Sequence, residues 1–325
     1  MERAAPEIDP HRPSSRPSRP AILSIIGSGR SGSTLLDIAL GGHPLIEGVG
    51  ALQKLPRSGW IPDDDRRCSC GEPIHRCPFW TAVLERWTGE VGDRDAVRRY
   101  VELQDGYERS NRLWPRLLIE ERRPSPTFTE YATMTGALYR AIADESGKPF
   151  VLDSSKKPIR TYALIAIGAL DVRVIHLVRD GRGVVWSRRK ALDKDVTAGV
   201  PSARSSTAAW RTSMHWAQAN VESGIVARHG DGTVRITYEA LVSDPIGTLG
   251  RLSPLVGEDL SELGRALLDG TAFPPGHRVA GNRMRLAGPV RLRPDLEWTE
   301  KLSDADARTF WLMAGWLARR YGYTR

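Results

Sequence analysis

Three glycines and a run of hydroxyl residues stand together in the stretch from Gly27 to Thr34, which reads GSGRSGST. The glycines let the backbone turn tightly and approach a ligand without a Cβ atom in the way. Successive backbone N–H groups in such a turn, followed by the amino end of a helix, bind anions. The stretch predicts a phosphate-binding loop. Its candidate ligand-binding residues are Ser28, Gly29, Arg30, Ser31, Gly32, Ser33 and Thr34.

The loop lacks the lysine on which nucleoside triphosphatases depend. Against the pattern G-x-x-x-x-G-K-[ST], Ser33 occupies the lysine position. That lysine contacts the β- and γ-phosphates in ATP or GTP hydrolysis, so ordinary hydrolysis of these nucleotides is disfavoured. Arg30 stands in mid-loop instead, where its guanidinium can neutralise a phosphate or a leaving oxygen. A glycine turn that binds no ligand is the plainer alternative.

A second stretch, RVIHLVRDGRGVVWSRRK at 173–190, also carries groups suited to phosphate. A buried strand ends at Val178, which places Arg179 and Asp180 at its carboxyl end. A helix follows and carries Ser187 about two turns further along. The guanidinium of Arg179 and this hydroxyl can converge on one phosphate. The alternative is an Arg–Asp pair that caps the helix.

The three cysteines, Cys68, Cys70 and Cys77, are clustered in RRCSCGEPIHRCPFW together with His75. Three cysteines and a histidine are enough ligands for zinc. Their spacing differs from that of paired CxxC knuckles, and the chain has no other cysteine. One disulfide with a free thiol, or three reduced thiols, fits the spacing better, and we expect no metal.

Buried strands that alternate with helices must position these groups. The pattern predicts an α/β fold with a mostly parallel sheet flanked by helices, a three-layer sandwich like that of the P-loop NTPases. Trp311 and Trp316 are expected to pack in the core. Predicted strands span 21–26, 149–155, 172–178 and 233–238. Predicted helices span 32–41, 159–168, 181–192, 205–229, 239–253 and about 303–321.

The chain is interpreted as a disordered leader at 1–20 followed by a single domain at 21–325. Residues 52–147 differ from the alternating strand and helix pattern of the rest of the chain and show helical periodicity. We interpret them as a helical insertion over the carboxyl edge of the sheet, where open α/β folds bind ligands. The insertion and the loop at 190–205 are expected to form the acceptor pocket.

Composition limits the class of partner. The net charge of +8 favours an anionic ligand only weakly, because forty arginines against seven lysines suggest a general bias in composition. No basic block is interleaved with aromatic residues, so nucleic acid is not expected as a partner. No apolar run reaches the roughly 18 to 20 residues that span a bilayer. The N-terminus lacks the apolar region of a secretory signal, so a cytoplasmic protein is expected.

The two phosphate-binding stretches together resemble those of the PAPS-dependent sulfotransferases, in the bacterial form. GSGRSGSTLL is similar to the family's 5′-phosphosulfate loop, and LVRDGRGVVWSR is similar to its 3′-phosphate motif, which here supplies Arg179 and Ser187. The resemblance implies 3′-phosphoadenosine 5′-phosphosulfate (PAPS) as co-substrate. It implies sulfuryl transfer to a hydroxyl of a small-molecule or carbohydrate acceptor, with release of 3′,5′-ADP and no need for a metal.

Three further stretches extend the resemblance over about residues 21 to 320. VLDSSKKPIR resembles the segment with an active-site lysine, here Lys156, and ITYEALVSDP resembles the segment whose tyrosine, Tyr238, lies against the adenine. HRVAGNRMR resembles the late loop that closes over the 3′-phosphate, with matching positions Gly281, Asn282 and Arg285. CSCGEPIHRCPFW recurs in a bacterial subgroup.

The resemblance also implies roles in catalysis. Arg30, with the loop amides, would stabilise charge on the leaving phosphate, and Lys156 would contact the sulfuryl oxygens. Relatives place a glutamate base after a His-Pro pair, where this chain has Ala51. Glu47 is the candidate replacement, although a solvated loop residue is the simpler interpretation. His176 is expected to be buried structure, and His277 stays open as a base.

Two other functions stay open. A P-loop kinase or phosphotransferase would share the glycine loop but would need to work without its lysine. A protein that binds the donor without turnover would explain Ala51.

Overall fold

A computed structural model describes residues 21–61, 66–92, 95–110, 114–190, 203, 205–286 and 292–325. The predicted leader at 1–20 and most of the predicted acceptor loop at 190–205 lie outside the described residues. In the described part of the chain, no helix is both long enough and apolar enough to cross a membrane.

The centre of the fold is an all-parallel sheet, which confirms the predicted α/β class. The described residues form five strands: β1 (Ala21–Ile26), β2 (Ile46–Gly50), β3 (Phe150–Lys156), β4 (Asp171–Val178) and β5 (Gly232–Thr237). Their order across the sheet is β2-β3-β1-β4-β5. The four predicted strands match β1, β3, β4 and β5 to within one residue at each end.

The edge strand β2 was missed by the prediction. Its sequence IEGVG holds two glycines, which are depleted in strands, and the segment was interpreted as a loop. The strand pairs with β3 in parallel, and its register shifts between Gly48 and Gly50. Tertiary pairing along the open edge of β3 therefore outweighs the weak local propensity.

Helices cover both faces of the sheet, and the alternation of side chains along β1 shows how. Ile22 and Ile26 belong to the large apolar cluster built with the helices of residues 78–146. Leu23 and Ile25 belong to a second cluster on the opposite face, with Leu36 of the helix that follows β1. All six residues of β1 are buried, as expected for a central strand covered on both sides.

Between β2 and β3 the described residues are mostly helical. The helices after β1 and in this segment are α1 (Ser33–Leu40), α2 (Pro78–Val91), α3 (Asp95–Glu108), α4 (Trp114–Arg122) and α5 (Pro126–Ser146). The longest, α5, shows why these boundaries form. The Ser125 hydroxyl accepts a hydrogen bond from the Phe128 amide at 3.2 Å, Pro126 starts the helix, and Gly147 ends it with φ 69°.

The remaining helices alternate with β3, β4 and β5 and then close the fold. They are α6 (Pro158–Ala166), α7 (Gly181–Arg189), α8 (Ala209–Val226), α9 (Tyr238–Ser243), α10 (Pro245–Gly250), α11 (Ser261–Leu268), α12 (Glu297–Lys301) and α13 (Asp304–Arg320). The helix predicted at 239–253 is divided because Asp244 caps α10 and Pro245 begins it.

The two tryptophans of α13 have different environments. Trp311 is buried beside Phe310, as predicted. Trp316 is 58% exposed, so its predicted place in the core is wrong. The two lie five positions apart on the helix, which puts them on different faces at 3.6 residues per turn.

A buried charged network joins the helical segment to the carboxyl end of β3. Arg160 of α6 is 1% exposed and forms ion pairs with Asp153 at 2.9 Å and with Glu108 at 2.5 Å. Its third nitrogen donates to the Tyr139 hydroxyl at 3.1 Å. Asp153 also accepts hydrogen bonds from the amide and hydroxyl of Ser155. The network therefore fixes the strand end that precedes Lys156.

Candidate active site

A cavity of about 730 Å³ opens at the carboxyl ends of β1, β3 and β4. Among the described residues that line it, cationic side chains outnumber carboxylates by eight to two. The eight are Arg30, Lys54, Arg109, Lys156, Lys157, Arg179, Arg188 and Arg293, and the two are Glu222 and Asp295. A concave surface with this balance of charge favours an anionic ligand.

The glycine loop forms one wall of the cavity. Gly27 has φ 137°, and a Cβ atom there would lie 2.3 Å from the Leu177 carbonyl oxygen of β4. Gly32 has φ 89°, and a Cβ atom there would lie 2.5 Å from the Tyr238 ring. Only glycine fits these two positions. Ser28, Gly29, Arg30, Gly32, Ser33 and Thr34 line the cavity, whereas Ser31 is buried behind them.

Two features of the loop are more typical of a functional site than of a bare turn. The backbone of Arg30 has φ 77°, a left-handed conformation that is strained for a residue with a side chain and clusters at functional sites. The buried hydroxyl of Ser31 has no hydrogen-bond partner among the described residues. Both observations fit a loop shaped around a ligand.

The second stretch predicted to bind phosphate contacts the loop directly. The Arg30 Nε atom donates to the Ser187 hydroxyl at 2.7 Å, and the Arg179 Nη1 atom donates to the Arg30 carbonyl at 3.1 Å. Arg179 follows β4 and Ser187 lies on α7, so two neighbouring strands of the sheet bring the two motifs together. One small ligand can therefore contact both.

Arg179 is held by an aromatic ring and a carboxylate. Its guanidinium lies 4.5 Å from the centroid of the Tyr238 ring and pairs with the Asp295 carboxylate at 2.9 Å. Arg179 is buried, yet its Nε atom has no hydrogen-bond partner within the part of the chain that the structure describes. An anion that accepts from this nitrogen would complete the hydrogen bonding of the guanidinium.

Lys156 lines the cavity at the end of β3 and has φ 70°. Burial lowers the pKa of Lys156 to about 8, and Lys54 acts in the same direction. Lys156 ends β3 and Arg30 follows the adjacent strand β1, whose last residue, Ile26, pairs with Lys156 in the β1–β3 register. The two cations thus stand on neighbouring parts of one cavity wall.

Comparison of the whole chain with known families decides between the classes that this geometry allows. The model described as "Sulfotransferase family" matches residues 21–262, which contain the glycine loop, Lys156 and the Arg179–Ser187 stretch. The chain belongs to the sulfotransferase family. Comparison with curated proteins gave no match.

The sulfotransferase is also similar to solved structures. The sulfotransferase domain of the Synechococcus PCC 7002 olefin synthase shares 19% identity over 96% of this chain and 98% of that chain, with a TM-score of 0.49. The sulfotransferase domain of the curacin biosynthetic pathway shares 18% over 94% and 98%, with a TM-score of 0.47. Sulfotransferase STF9 from Mycobacterium avium shares 13% over 77% and 67%, with a TM-score of 0.41.

The late loop of the sulfotransferase supplies two of its three predicted residues to the cavity. Gly281 and Asn282 line the cavity, and the Asn282 amide donates to the Thr34 hydroxyl at 3.0 Å. Arg285 is buried outside the lining and donates to the Arg67 carbonyl at 2.8 Å. Its backbone segment, Arg283–Leu286, is a turn of 3₁₀ helix that directs Arg285 toward the cysteine loop.

Glu47 is not brought to the cavity. It lies buried on β2 and pairs with Lys148 at 2.9 Å, so it is not the solvated loop residue that the sequence suggested. Ala51 does line the cavity, at the position where the family pattern places its glutamate. His176 is buried and hydrogen-bonded to Asn220, and burial lowers its pKa to about 4, which agrees with a structural role. His277 contacts cysteine sulfurs outside the cavity lining.

Helix α8 contributes a polar stripe that sequence analysis missed. Thr212, His215, Gln218, Ala219 and Glu222 line the cavity at helical spacing. Among the described residues that line the cavity, His215 and Glu222 carry proton-accepting groups and do not belong to the Arg179–Asp295 ion pair. The alternation of these polar positions with buried Trp216 and Asn220 was the available signal.

Proposed function

We propose that this sulfotransferase transfers a sulfuryl group from PAPS to a hydroxyl of a small-molecule or carbohydrate acceptor and releases 3′,5′-ADP. The observation that carries the proposal is the direct contact between the two anion sites, through the Arg30–Ser187 and Arg179–Arg30 hydrogen bonds. A nucleotide that bears an anion at its 5′ end and another on its 3′ oxygen needs two such sites side by side.

The residues present fit this donor. Arg179 lines the cavity, its buried Nε atom has no partner among the described residues, and a phosphate oxygen would supply the acceptor. Without Cβ atoms, Gly29 lets the Arg188 side chain and Gly32 lets the Tyr238 ring pack against the loop, and both of these side chains line the cavity. Arg30 and Lys156 place positive charge where nucleoside triphosphatases use a lysine and a magnesium ion.

When bound, PAPS supplies an activated sulfuryl group on a phosphate leaving group. The residues of the chain then have separate roles in binding and in stabilising charge. Arg30 and the loop amides hold the 5′ end and stabilise the charge that develops on the leaving oxygen. Lys156 orients the sulfuryl oxygens, and Arg179 with Ser187 holds the 3′-phosphate. The Tyr238 ring, which covers Gly32, lies where the adenine can stack.

We further propose that helix α8 replaces the missing glutamate base. His215 and Glu222 line the cavity about one and three turns along the same side of α8 from Thr212. An imidazole or carboxylate there can accept the proton of a bound hydroxyl. Gln218 and Arg109 add hydrogen-bonding groups suited to a polar acceptor.

Turnover of labelled PAPS tests the function. The full chain is incubated with ³⁵S-labelled PAPS and a panel of phenols, alcohols and sugars, and both 3′,5′-ADP and labelled product are followed. The proposal expects acceptor-dependent formation of both in equal amounts. His215→Ala and Glu222→Gln identify the base by the larger loss of turnover. PAPS binding without transfer to any acceptor or cell extract would instead indicate a donor-binding protein.

The pH dependence of PAPS binding tests the placement of Lys156. Because the pKa of Lys156 is about 8, its ammonium form dominates below that pH and is lost above it. An anionic ligand prefers the ammonium form. PAPS affinity, measured by calorimetry without acceptor, should therefore fall above pH 8 by up to about tenfold per pH unit. Lys156→Arg should abolish this fall, and an unchanged fall in that variant would remove Lys156 from the site.

Asp295 competes with the proposed 3′-phosphate for Arg179. Its carboxylate holds the guanidinium at 2.9 Å, and the pair must open before a phosphate binds there. Asp295→Asn keeps the size and removes the charge, so 3′,5′-ADP should bind about 3- to 30-fold more tightly. Glu297→Gln on α12, whose carboxylate pairs with Lys190 rather than Arg179, is the matched control. Weaker binding by Asp295→Asn would show that the carboxylate supports the site.

A further inference from the structure

We propose that Cys68, Cys70, Cys77 and His277 bind one structural zinc ion. Their ligand atoms all lie within 4.8 Å of one another, although His277 is 200 residues beyond Cys77 in the chain. The sequence suggested His75 as the fourth group, but His75 is exposed and the fold brings His277 to the sulfurs instead. With His277 in place of His75, the three cysteines and one histidine form a complete set of four ligands.

The distances match the edges of a zinc tetrahedron. With Zn–S bonds of about 2.3 Å and a Zn–N bond of about 2.0–2.1 Å, sulfurs lie about 3.8 Å apart and nitrogen lies about 3.6 Å from each sulfur. The Cys70 and Cys77 sulfurs are 3.6 Å apart. The His277 Nδ1 atom lies 3.7 Å from the Cys68 sulfur and 3.3 Å from the Cys77 sulfur.

The surroundings hold the ligands in place. The His277 ring stacks on Phe79 with 4.5 Å between centroids, and its carbonyl accepts from the Trp80 indole at 2.9 Å. The Cys68 and Cys77 side chains are buried, while Cys70 is partly exposed. None of the three cysteines is in a disulfide. Four protein ligands leave no open position, which is the mark of a structural rather than a catalytic zinc site.

Buried cationic charge beside the cluster points to an anionic centre. Arg285 is buried, and its Nε and Nη1 atoms have no hydrogen-bond partner within the described ranges. Its Nη2 atom donates to the carbonyl of Arg67, the residue that precedes Cys68, at 2.8 Å. A zinc ion with three thiolates and one neutral imidazole carries a net charge of −1, which would offset the cost of burying this guanidinium.

The site would fasten the cysteine loop to the segment that reaches the cavity. Ser69 donates to the Gly276 carbonyl at 3.0 Å and accepts from the Arg278 amide at 2.8 Å. Two residues beyond His277, the Val279 amide donates to the Val49 carbonyl of β2 at 3.0 Å, and Asn282 then lines the cavity. Zinc would thus stabilise the segment that places Asn282 beside Thr34. This consequence for nucleotide binding rests on the proposed function, whereas the metal site itself does not.

Metal analysis of the full chain tests the proposal. The protein is made without a histidine tag, dialysed against EDTA, and analysed by plasma mass spectrometry. We expect about one zinc per chain in the wild type and in His75→Ala, whose exposed imidazole makes it the matched control. His277→Ala should lose most of its zinc, and His277→Cys should retain it as a Cys₄ site. A His277→Ala protein that holds zinc as tightly as the wild type would overturn the ligand set.

A second measurement needs no variant. Co²⁺ titrated into metal-stripped wild type should give thiolate charge-transfer bands and the intense visible bands of tetrahedral cobalt, and zinc should displace them. The stripped protein should also melt at a lower temperature and regain stability on addition of one equivalent of zinc. A folded wild type with no bound metal and a Cys70–Cys77 disulfide in non-reducing mass spectrometry overturns the proposal, as does a stoichiometric metal other than zinc.

Discussion

Arg30→Ala should lower the kcat for sulfuryl transfer by about 100- to 1,000-fold, the loss typical of removing one oxyanion-stabilising donor. Arg30 joins the two proposed anion sites, since its side chain donates to Ser187 and its carbonyl accepts from Arg179. The negative charge on the leaving oxygen grows in the transition state, so the loss should fall on kcat more than on the KM for PAPS.

Two variants separate charge from geometry in that experiment. Arg30→Lys keeps the positive charge but loses the planar fork of donors, so its kcat should lie between those of the wild type and Arg30→Ala. Arg30→Gly relieves the left-handed backbone, which has φ 77°, and should match the alanine variant in kcat without loss of thermal stability. Normal turnover by Arg30→Ala would contradict its role in the transition state.

Arg160→Ala should destabilise the protein by about 3–5 kcal/mol, because it leaves Asp153 and Glu108 as buried carboxylates without their cation. Arg160→Ala also removes a group that holds the Asp153 carboxylate in place. Because Asp153 accepts from the Ser155 amide at 2.8 Å, we expect the end of β3 to become less ordered. Lys156 follows directly, so residual folded protein should also bind PAPS less tightly. Urea unfolding followed by circular dichroism measures the first effect.

Arg86→Ala is the matched control for the buried network. Arg86 pairs with Glu145 at 2.9 Å on the surface of the same helical segment, with 54% of its side chain exposed. Exposed pairs of this kind contribute less than about 1 kcal/mol, so the control should unfold close to the wild type. An equal loss of stability in the two variants would show that the buried Arg160 ion pairs contribute no more to the free energy of unfolding than an exposed pair does.

The sequence alone predicted those strands and loops whose signals lie within a short stretch of the chain. The strands around Ile22 and Ile175 are mostly apolar runs, and they are followed by the glycine loop and by Arg179, respectively. Because parallel strands end at the same edge of a sheet, the sequence predicted that the glycine loop and Arg179 lie at that edge, and the structure brings Arg30 into contact with Ser187 there. Family-like spacing supplied Lys156, Tyr238 and Asn282, and the structure places all three in the cavity lining.

The features that sequence missed depend on contacts between distant segments. β2 exists because it pairs with β3, and that pairing turns Glu47 toward Lys148 instead of the cavity. His277 joins the cysteines across 200 residues, which no local spacing reveals. The polar stripe of α8 with His215 did leave a periodic signal, but the period alone does not tell a cavity wall from a solvated face.

Calorimetry with three nucleotides tests the central claim that one ligand with an anion at each end bridges the two sites. The wild type should bind 3′,5′-ADP at least about tenfold more tightly than 5′-AMP, and more tightly than ATP with Mg²⁺. Arg179→Ala should weaken 3′,5′-ADP binding by about 1.5–3 kcal/mol and remove its advantage over 5′-AMP. Tight binding of ATP with Mg²⁺ and no preference for a ribose 3′-phosphate would contradict the account.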